Sequence, residues 1–360
     1  MIVATAVLLS MPPAQATASF VIEADRVWLG DGSSLERGRI WIEGDKIRAV
    51  GVDVDAPPDT PVFVHAGSAS AGLVALHGYA GASGDLRDPT RALLPEAQSG
   101  LVFSPRHPEF EDLVNAGVTS LLLAPTRQGL SSGTTAVVKT AGGSVLKSRA
   151  HLCLTFSADA LVSNRAPTSA SGAIAELERV FAEPKGAFAE ARAGRLPVIF
   201  EADTRADVQR AASFATRHRL KGAIFGADWA GEVADTLREA KLAVIVGPFE
   251  AGVHPRTLDA VGMLERAGVP FAFGLDAPWR DASALRFTAA LCVRDGVAPA
   301  VAWKALTQGA AEIAGVSDRV GNLAPGLDAD VVLWSGDPLA LSSAIDAVYI
   351  DGARVHGGEQ

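Results

Sequence analysis

Short apolar, β-rich runs recur in the second half of the chain at residues 196–200, 222–225, 242–246 and 269–273, with starts roughly 20 to 27 residues apart. That spacing holds a strand, a helix and two turns, so the runs predict successive βα units with parallel strands. An earlier run at 118–124 has the same character. Helical patterns fit the gaps: residues 205–218 open behind Asp203-Thr204 as cap, and residues 231–240 lead into the next run. About 250 residues in the middle of the chain suit an eight-fold barrel. The stretch 159–194 is Ala/Ser-rich, then charged and helical, and shows no clear strand. Strands three and four are therefore not located by sequence, and the barrel is either full or shortened.

The ends have another texture. Residues 20–66 alternate apolar and polar positions, as in Arg39-Ile40-Trp41-Ile42-Glu43, with Gly-Asp and Asp-Gly turns. The pattern returns in Ala329-Asp330-Val331-Val332-Leu333-Trp334 and Ala347-Val348-Tyr349-Ile350. Isolated hairpins are marginal in water, so the two terminal segments are expected to pair into one small β-sandwich. The expected architecture is α/β: a (β/α)8 TIM-type barrel over residues 67–319, and a β domain built from residues 19–66 and 320–360.

At 360 residues, 48% hydrophobic, the chain can bury a large core. Its 41 acidic and 32 basic residues give a net charge of −9 with no Lys/Arg cluster, so nucleic acid is not an expected partner. Residues 1–18 read as an export signal: the apolar run 2–9, then Pro12-Pro13 and the small-x-small site Ala14-Gln15-Ala16. The run is too short to span a bilayer and lacks a positive flank, which leaves two alternatives, a start codon upstream of this sequence or a buried N-terminal strand. With export comes a periplasmic or secreted location and no stable membrane insertion. Cys153 and Cys292 each lie in an apolar run and read as two separate buried thiols.

Several motifs carry a family resemblance. Gly72-Leu73-Val74-Ala75-Leu76-His77-Gly78-Tyr79, Gly44-Asp45-Lys46-Ile47-Arg48-Ala49-Val50-Gly51 and the long run from Val320-Gly321-Asn322-Leu323 through Asp328-Ala329-Asp330 to Gly336-Asp337-Pro338 resemble the amidohydrolase superfamily, in particular its imidazolonepropionase-related branch of exported bacterial proteins. The resemblance covers nearly the whole chain. It implies one or two divalent metals at the C-terminal mouth of the barrel, held by two histidines after strand one, histidines after strands five and six, and an aspartate after strand eight. The metal would activate a water for attack on an amide carbon, and the aspartate would take its proton.

That pattern is only partly filled. His77 matches the first histidine, while Tyr79 stands at the second. After strand five, Glu201 stands where histidine is expected, in Phe200-Glu201-Ala202-Asp203; its alternative reading is an ion pair with Arg205. After strand six no histidine appears, and Asp228 reads as a helix cap. After strand eight, Gly274-Leu275-Asp276-Ala277-Pro278 resembles the family's Gly-x-Asp-x-Pro, making Asp276 the leading catalytic candidate. A bridging lysine of the kind some members use has only Lys139 and Lys147 to draw on, neither placed on strand four.

What remains is a single-metal site, zinc first, of His77, Glu201 and Asp276, since a catalytic metal wants three protein ligands and water. Tyr79, His254 and Arg280 are candidates for substrate contact on the same rim. Gly129-Leu130-Ser131-Ser132-Gly133-Thr134-Thr135 lacks the spacing of a phosphate loop and reads as a turn into the next strand. Three functions follow: a hydrolase of C–N bonds in small cyclic or linear amides with Asp276 as base, a scaffold that has lost its metal and works as a binding or partner subunit, or metal-free chemistry between the Glu201 and Asp276 carboxylates. The expected partner is a small-molecule substrate, with self-association or pairing with a homologous subunit as further expectations.

Overall fold

The computed structural model describes residues 18–227 and 229–358. The segment read as an export signal, apart from Ala18, and the cap assigned to Asp228 lie outside the described residues.

The terminal segments form one seven-stranded sheet. From the N-terminal side it takes β1 (Ser19–Trp28), β2 (Ser34–Glu43), β3 (Lys46–Gly51) and β4 (Val62–Ala71). From the C-terminal side it takes β15 (Val331–Trp334), β16 (Ile345–Ile350) and β17 (Ala353–His356). Its order is β17-β16-β15-β4-β1-β2-β3, so β15 joins the halves by pairing antiparallel with β4 over Val331↔Ala71 to Trp334↔Ser68. The expected sandwich is thus a single curled sheet: Lys46 at the β3 edge bridges to Asp328, closing the curl over Ile22, Ile40, Ile42, Ile47, Val331 and Tyr349. β4 runs to Ala71, five residues beyond the boundary expected at 66, and β5 (Leu73–Gly78) follows almost at once.

The barrel strands are β5, β6 (Val118–Leu123), β7 (Gly133–Thr134), β8 (Ala136–Lys139), β10 (Leu152–Thr155), β11 (Val198–Glu201), β12 (Gly222–Phe225), β13 (Leu242–Val246) and β14 (Phe271–Phe273), with β9 (Val145–Lys147) an outer hairpin partner of β8. β5 pairs parallel with β6, and β6 pairs antiparallel with β8. Thr135, between β7 and β8, exchanges backbone hydrogen bonds with the 150–151 segment, and β7 pairs antiparallel with β10. β10 to β14 are all parallel neighbours. The ring closes where Leu76 bridges in parallel to Gly274 and Leu275 N–H donates to Leu76 O at 3.0 Å. Counting β7 and β8 as one run, eight strands surround an interior of Val74, Leu76, Leu122, Val137, Cys153, Ile199, Phe225, Ile245 and Ala272.

The third position is where the sequence reading failed. A parallel neighbour needs a crossover of a dozen or more residues. Only nine residues, 124–132, separate β6 from β7, so the chain turns back antiparallel and no crossover helix forms. Reversal also changes where Lys139 lies: it ends at the N-terminal side of the barrel, fully buried, with its ammonium 2.6 Å from Asp330, 3.0 Å from Asp351 and 3.2 Å from Asp328. It joins barrel to sheet and is remote from the mouth. β10 is the missing fourth strand, short and followed by helices Ala170–Ala182 and Ala187–Arg192 in the stretch that read as helical. Both cysteines are buried and free.

Candidate active site

β5, β11, β12 and β14 end at one mouth, and each delivers one side chain. Strand ends of a parallel barrel present side chains to a common centre, which is why chemistry gathers there. At that centre His77, with no exposure, lies between two carboxylates. Its Nδ1–H donates to Asp276 Oδ1 at 2.8 Å, and its Nε2 faces Glu201 Oε1 at 3.8 Å. Glu201, also fully buried, accepts from the Thr155 hydroxyl through Oε2 at 2.6 Å. Among the described residues His77 Nε2 and Glu201 Oε1 have no hydrogen-bond partner. The imidazole stacks on Phe225 at 3.6 Å between centroids, and Tyr79 meets it edge-on at 5.3 Å.

The backbone holds this arrangement under strain. His77 (φ 57°) and Asp276 (φ 56°) both occupy the left-handed region, where a side chain costs roughly 1–2 kcal/mol per residue. The segments carrying them are laced together: Asp276 N–H donates to His77 O at 2.8 Å, and Tyr79 and Ala80 N–H groups both donate to Ala277 O. Strain of this kind persists only where the surroundings over-determine it, and it concentrates at functional sites.

Of the three expected metal ligands, the structure brings all together but not around one point. A catalytic zinc takes its ligands at about 2.0–2.3 Å from a single centre. Asp276 is bonded to one nitrogen of the imidazole and Glu201 faces the other, so the ring stands between the carboxylates. Phe225 covers the ring on the side of strand six. Among the described residues no three His, Cys, Asp or Glu side chains converge as a metal site. The two unpartnered atoms, His77 Nε2 and Glu201 Oε1, supply two donors at most, and the set does not fit the single-metal centre expected from the resemblance.

Asp276, a quarter exposed, opens onto a cleft of about 580 Å³ lined also by Tyr79, Arg127, Asp159 and Trp279. Trp279 is 67% exposed and rests on Tyr79 at 4.1 Å, forming an aromatic shelf at the entrance. Burial, then the charges of Asp276 and Glu201, push the Tyr79 phenol far above its usual range, so it stays protonated and can donate. A larger cavity of about 600 Å³, at the opposite end of the barrel beside His151, Pro197 and Phe271, shares none of these residues.

The other rim candidates lie elsewhere. His254 caps the helix Pro255–Ala267, accepting from Arg256 N–H, and Arg280 pairs with Glu250. Neither lines the cleft. Glu201 does not pair with Arg205, which binds Glu232 instead. Asp203 is not the cap either: Thr204 caps helix Arg205–His218 in a reciprocal box with Asp207. Asp203 instead accepts from Arg127 at 2.7 Å.

Arg127 lines the cleft and was not singled out by sequence. The short 124–132 turn carries it into the mouth, where its guanidinium lies 4.6 Å from the Phe225 ring centroid, over the ring that also stacks on His77. Burial disfavours its charge, but Glu201 and Asp203 outweigh that, leaving its pKa above the ordinary value. The available signal was positional: it is the charged residue in the turn that follows the second barrel strand.

Residues 227–355 match the amidohydrolase family, a stretch that includes Asp276 but neither His77 nor Glu201. The amidohydrolase tasK of Hapsidospora irregularis is 31% identical over 104 residues, spanning 29% of this chain and 11% of that protein. An amidohydrolase from Thermotoga maritima has a similar structure, with a TM-score of 0.83 at 23% identity over 94% of this chain and all of that one. A Xaa-Pro dipeptidase with methionine bound in its active site is similar with a TM-score of 0.61 at 15% identity, over 94% of this chain and all of that one. A molinate hydrolase matches at the same TM-score with 16% identity over 95% of each chain. The chain has the fold of the amidohydrolases over nearly its whole length, and its residues 227–355 match the amidohydrolase family in sequence.

Proposed function

We propose that this amidohydrolase-type hydrolase cleaves the C–N bond of a small cyclic or linear amide, with Asp276 as the general base. The observation that carries the reading is the His77–Asp276 hydrogen bond at the floor of an open cleft: one carboxylate oxygen is fixed by a buried imidazole while the group remains a quarter exposed. A base held in one orientation at hydrogen-bond distance from its substrate contributes typically 10²–10⁴-fold. In this mechanism Asp276 takes a proton from water as the water oxygen bonds to the amide carbon. The resulting tetrahedral adduct then collapses, the C–N bond breaks, and Asp276 returns the proton to the leaving nitrogen. His77 orients the base, and Glu201, fixed by Thr155, lies behind His77. No step passes through a metal, because the donors do not converge.

The test is turnover of a panel of dipeptides, N-acyl amino acids and lactams by the wild type and by Asp276→Asn, each before and after chelation. Hydrolysis that survives the chelator and drops by about 10² or more in the variant supports the mechanism. Turnover unchanged in Asp276→Asn contradicts it. That no third donor converges among the described residues favours a second reading, a binding or partner subunit on an amidohydrolase scaffold, which predicts no turnover by the wild type. Export to the periplasm or beyond belongs to the same proposal and rests on the pattern of residues 2–16. Among the described residues no helix is long and apolar enough to cross a membrane.

A further inference from the structure

We propose that Arg127 anchors a carboxylate, so that the cleft selects amides bearing an acidic group next to the scissile bond, N-acyl amino acids among them. This rests on the reading of the cleft as the substrate site and names the class of substrate it takes. The guanidinium presents five N–H groups in a planar fork. Among the described residues its one hydrogen bond is from Nη1 to Asp203 at 2.7 Å, while Asp159 stands 3.8 Å away, beyond hydrogen-bond range. The remaining donors have no acceptor among the described residues, and the side chain is 19% exposed where it borders the cleft.

The fork is built into place. One face lies over Phe225, and Asp203 fixes one edge. Gly226, at φ +89°, leaves the room it occupies: a Cβ there would fall 2.7 Å from Asp203 Oδ1 and 2.8 Å from Arg127 Nη2. A guanidinium fixed in this way loses little freedom on binding and matches a carboxylate with two parallel hydrogen bonds. Orientation follows from charge. Asp276, Asp159 and Asp85 line the same cleft and repel a carboxylate placed beside them; the cleft's other guanidinium, Arg87, is exposed and stands beside Asp85, so the acidic group goes to the held fork of Arg127 and the amide carbonyl is left facing Asp276.

Binding of N-acetyl-L-alanine and of its carboxamide, N-acetyl-L-alaninamide, by isothermal titration calorimetry tests this without requiring turnover. The wild type is expected to prefer the carboxylate by about tenfold or more, as charge-assisted pairs do. Arg127→Met is expected to bring the ratio close to one, and Arg127→Lys, which keeps the charge but not the fork, to an intermediate value. Equal wild-type affinities overturn the inference, as does binding of neither compound, and this comparison needs no variant to fold. Full discrimination retained in Arg127→Met also overturns it. Carboxylate selectivity without hydrolysis of any amide would leave this inference standing and remove the hydrolase reading. Hydrolysis of both probes at equal efficiency would do the reverse.

Discussion

His77 and Asp276, 199 positions apart in the sequence, are joined twice at the mouth of the barrel: side chain to side chain at 2.8 Å and backbone to backbone at 2.8 Å. Both sit in the left-handed backbone region, so the contact that closes the ring of strands is also where the fold stores strain. A structural closure would be built more cheaply with glycine. Keeping a histidine and an aspartate there is what a site requires.

The strain has a measurable sign. Asp276→Gly and Asp276→Ala both delete the carboxylate, but only glycine accepts a φ of 56° without a Cβ penalty. Asp276→Gly should therefore be the more stable of the two by about 1 kcal/mol or more in chemical denaturation. Both should lack hydrolytic activity. Equal stabilities would show that the left-handed backbone is not held in solution.

Glu201 Oε1 is buried and, among the described residues, without a hydrogen-bond partner, an arrangement that costs stability. Glu201→Gln keeps an acceptor for the Thr155 hydroxyl and turns an amide N–H₂ toward His77 Nε2. A rise in stability on the order of 1 kcal/mol is expected, accompanied by slower turnover because the charge behind His77 is gone. A drop in the thermal midpoint would mean that Oε1 has a partner in solution.

Lys139 ties barrel to sheet through Asp328, Asp330 and Asp351, and its loss would leave the buried Asp330 carboxylate without its cation, while Asp328 keeps Arg319 and Lys46. Lys139→Met should cost about 3–5 kcal/mol. Burial opposes the ammonium, but the three aspartates outweigh it and hold its pKa above the usual 10.5. A raised lysine pKa stabilises the fold fully below the unfolded value and loses that contribution as pH climbs through the folded one. The stability gap between wild type and variant should thus be constant from neutral pH to about 10.5 and narrow above it. A gap unchanged well above that pH would contradict the assignment.

Gly226→Ala brings a Cβ into the space of Asp203 and Arg127 at a φ of +89°. The expected cost is about 1–3 kcal/mol, with loss of preference for the acidic ligand as the guanidinium is displaced. Full retention of that preference would show that Arg127 does not depend on Gly226 for its position.

Much of this was legible in the sequence. Period-two alternation at both termini located the sheet, and the even spacing of the last four apolar runs located β11 to β14, because these are local patterns with one geometric solution. His77, Glu201 and Asp276 were identifiable through the family resemblance of the segments that carry them. Their mutual geometry was not, since the imidazole standing between the carboxylates depends on side-chain directions set by the left-handed backbone at 77 and 276. The reversal of the third strand followed from a nine-residue connection, but only once β7 and β8 were known to be strand. Lys139 could not be placed on strand four by sequence; it ends the antiparallel strand β8, where it faces the terminal sheet. Arg127 lies in a turn with no periodicity, and only its placement after a barrel strand pointed to it.

The central claim is that this mouth is a carboxylate–imidazole–carboxylate chain and not a metal centre. Metal content tests it most directly, measured by inductively coupled plasma mass spectrometry after incubation with zinc or manganese and exhaustive dialysis, with His77→Ala in parallel. The account predicts far less than one equivalent in either protein. One equivalent in the wild type that is lost in His77→Ala would contradict it and restore the metal-activated water.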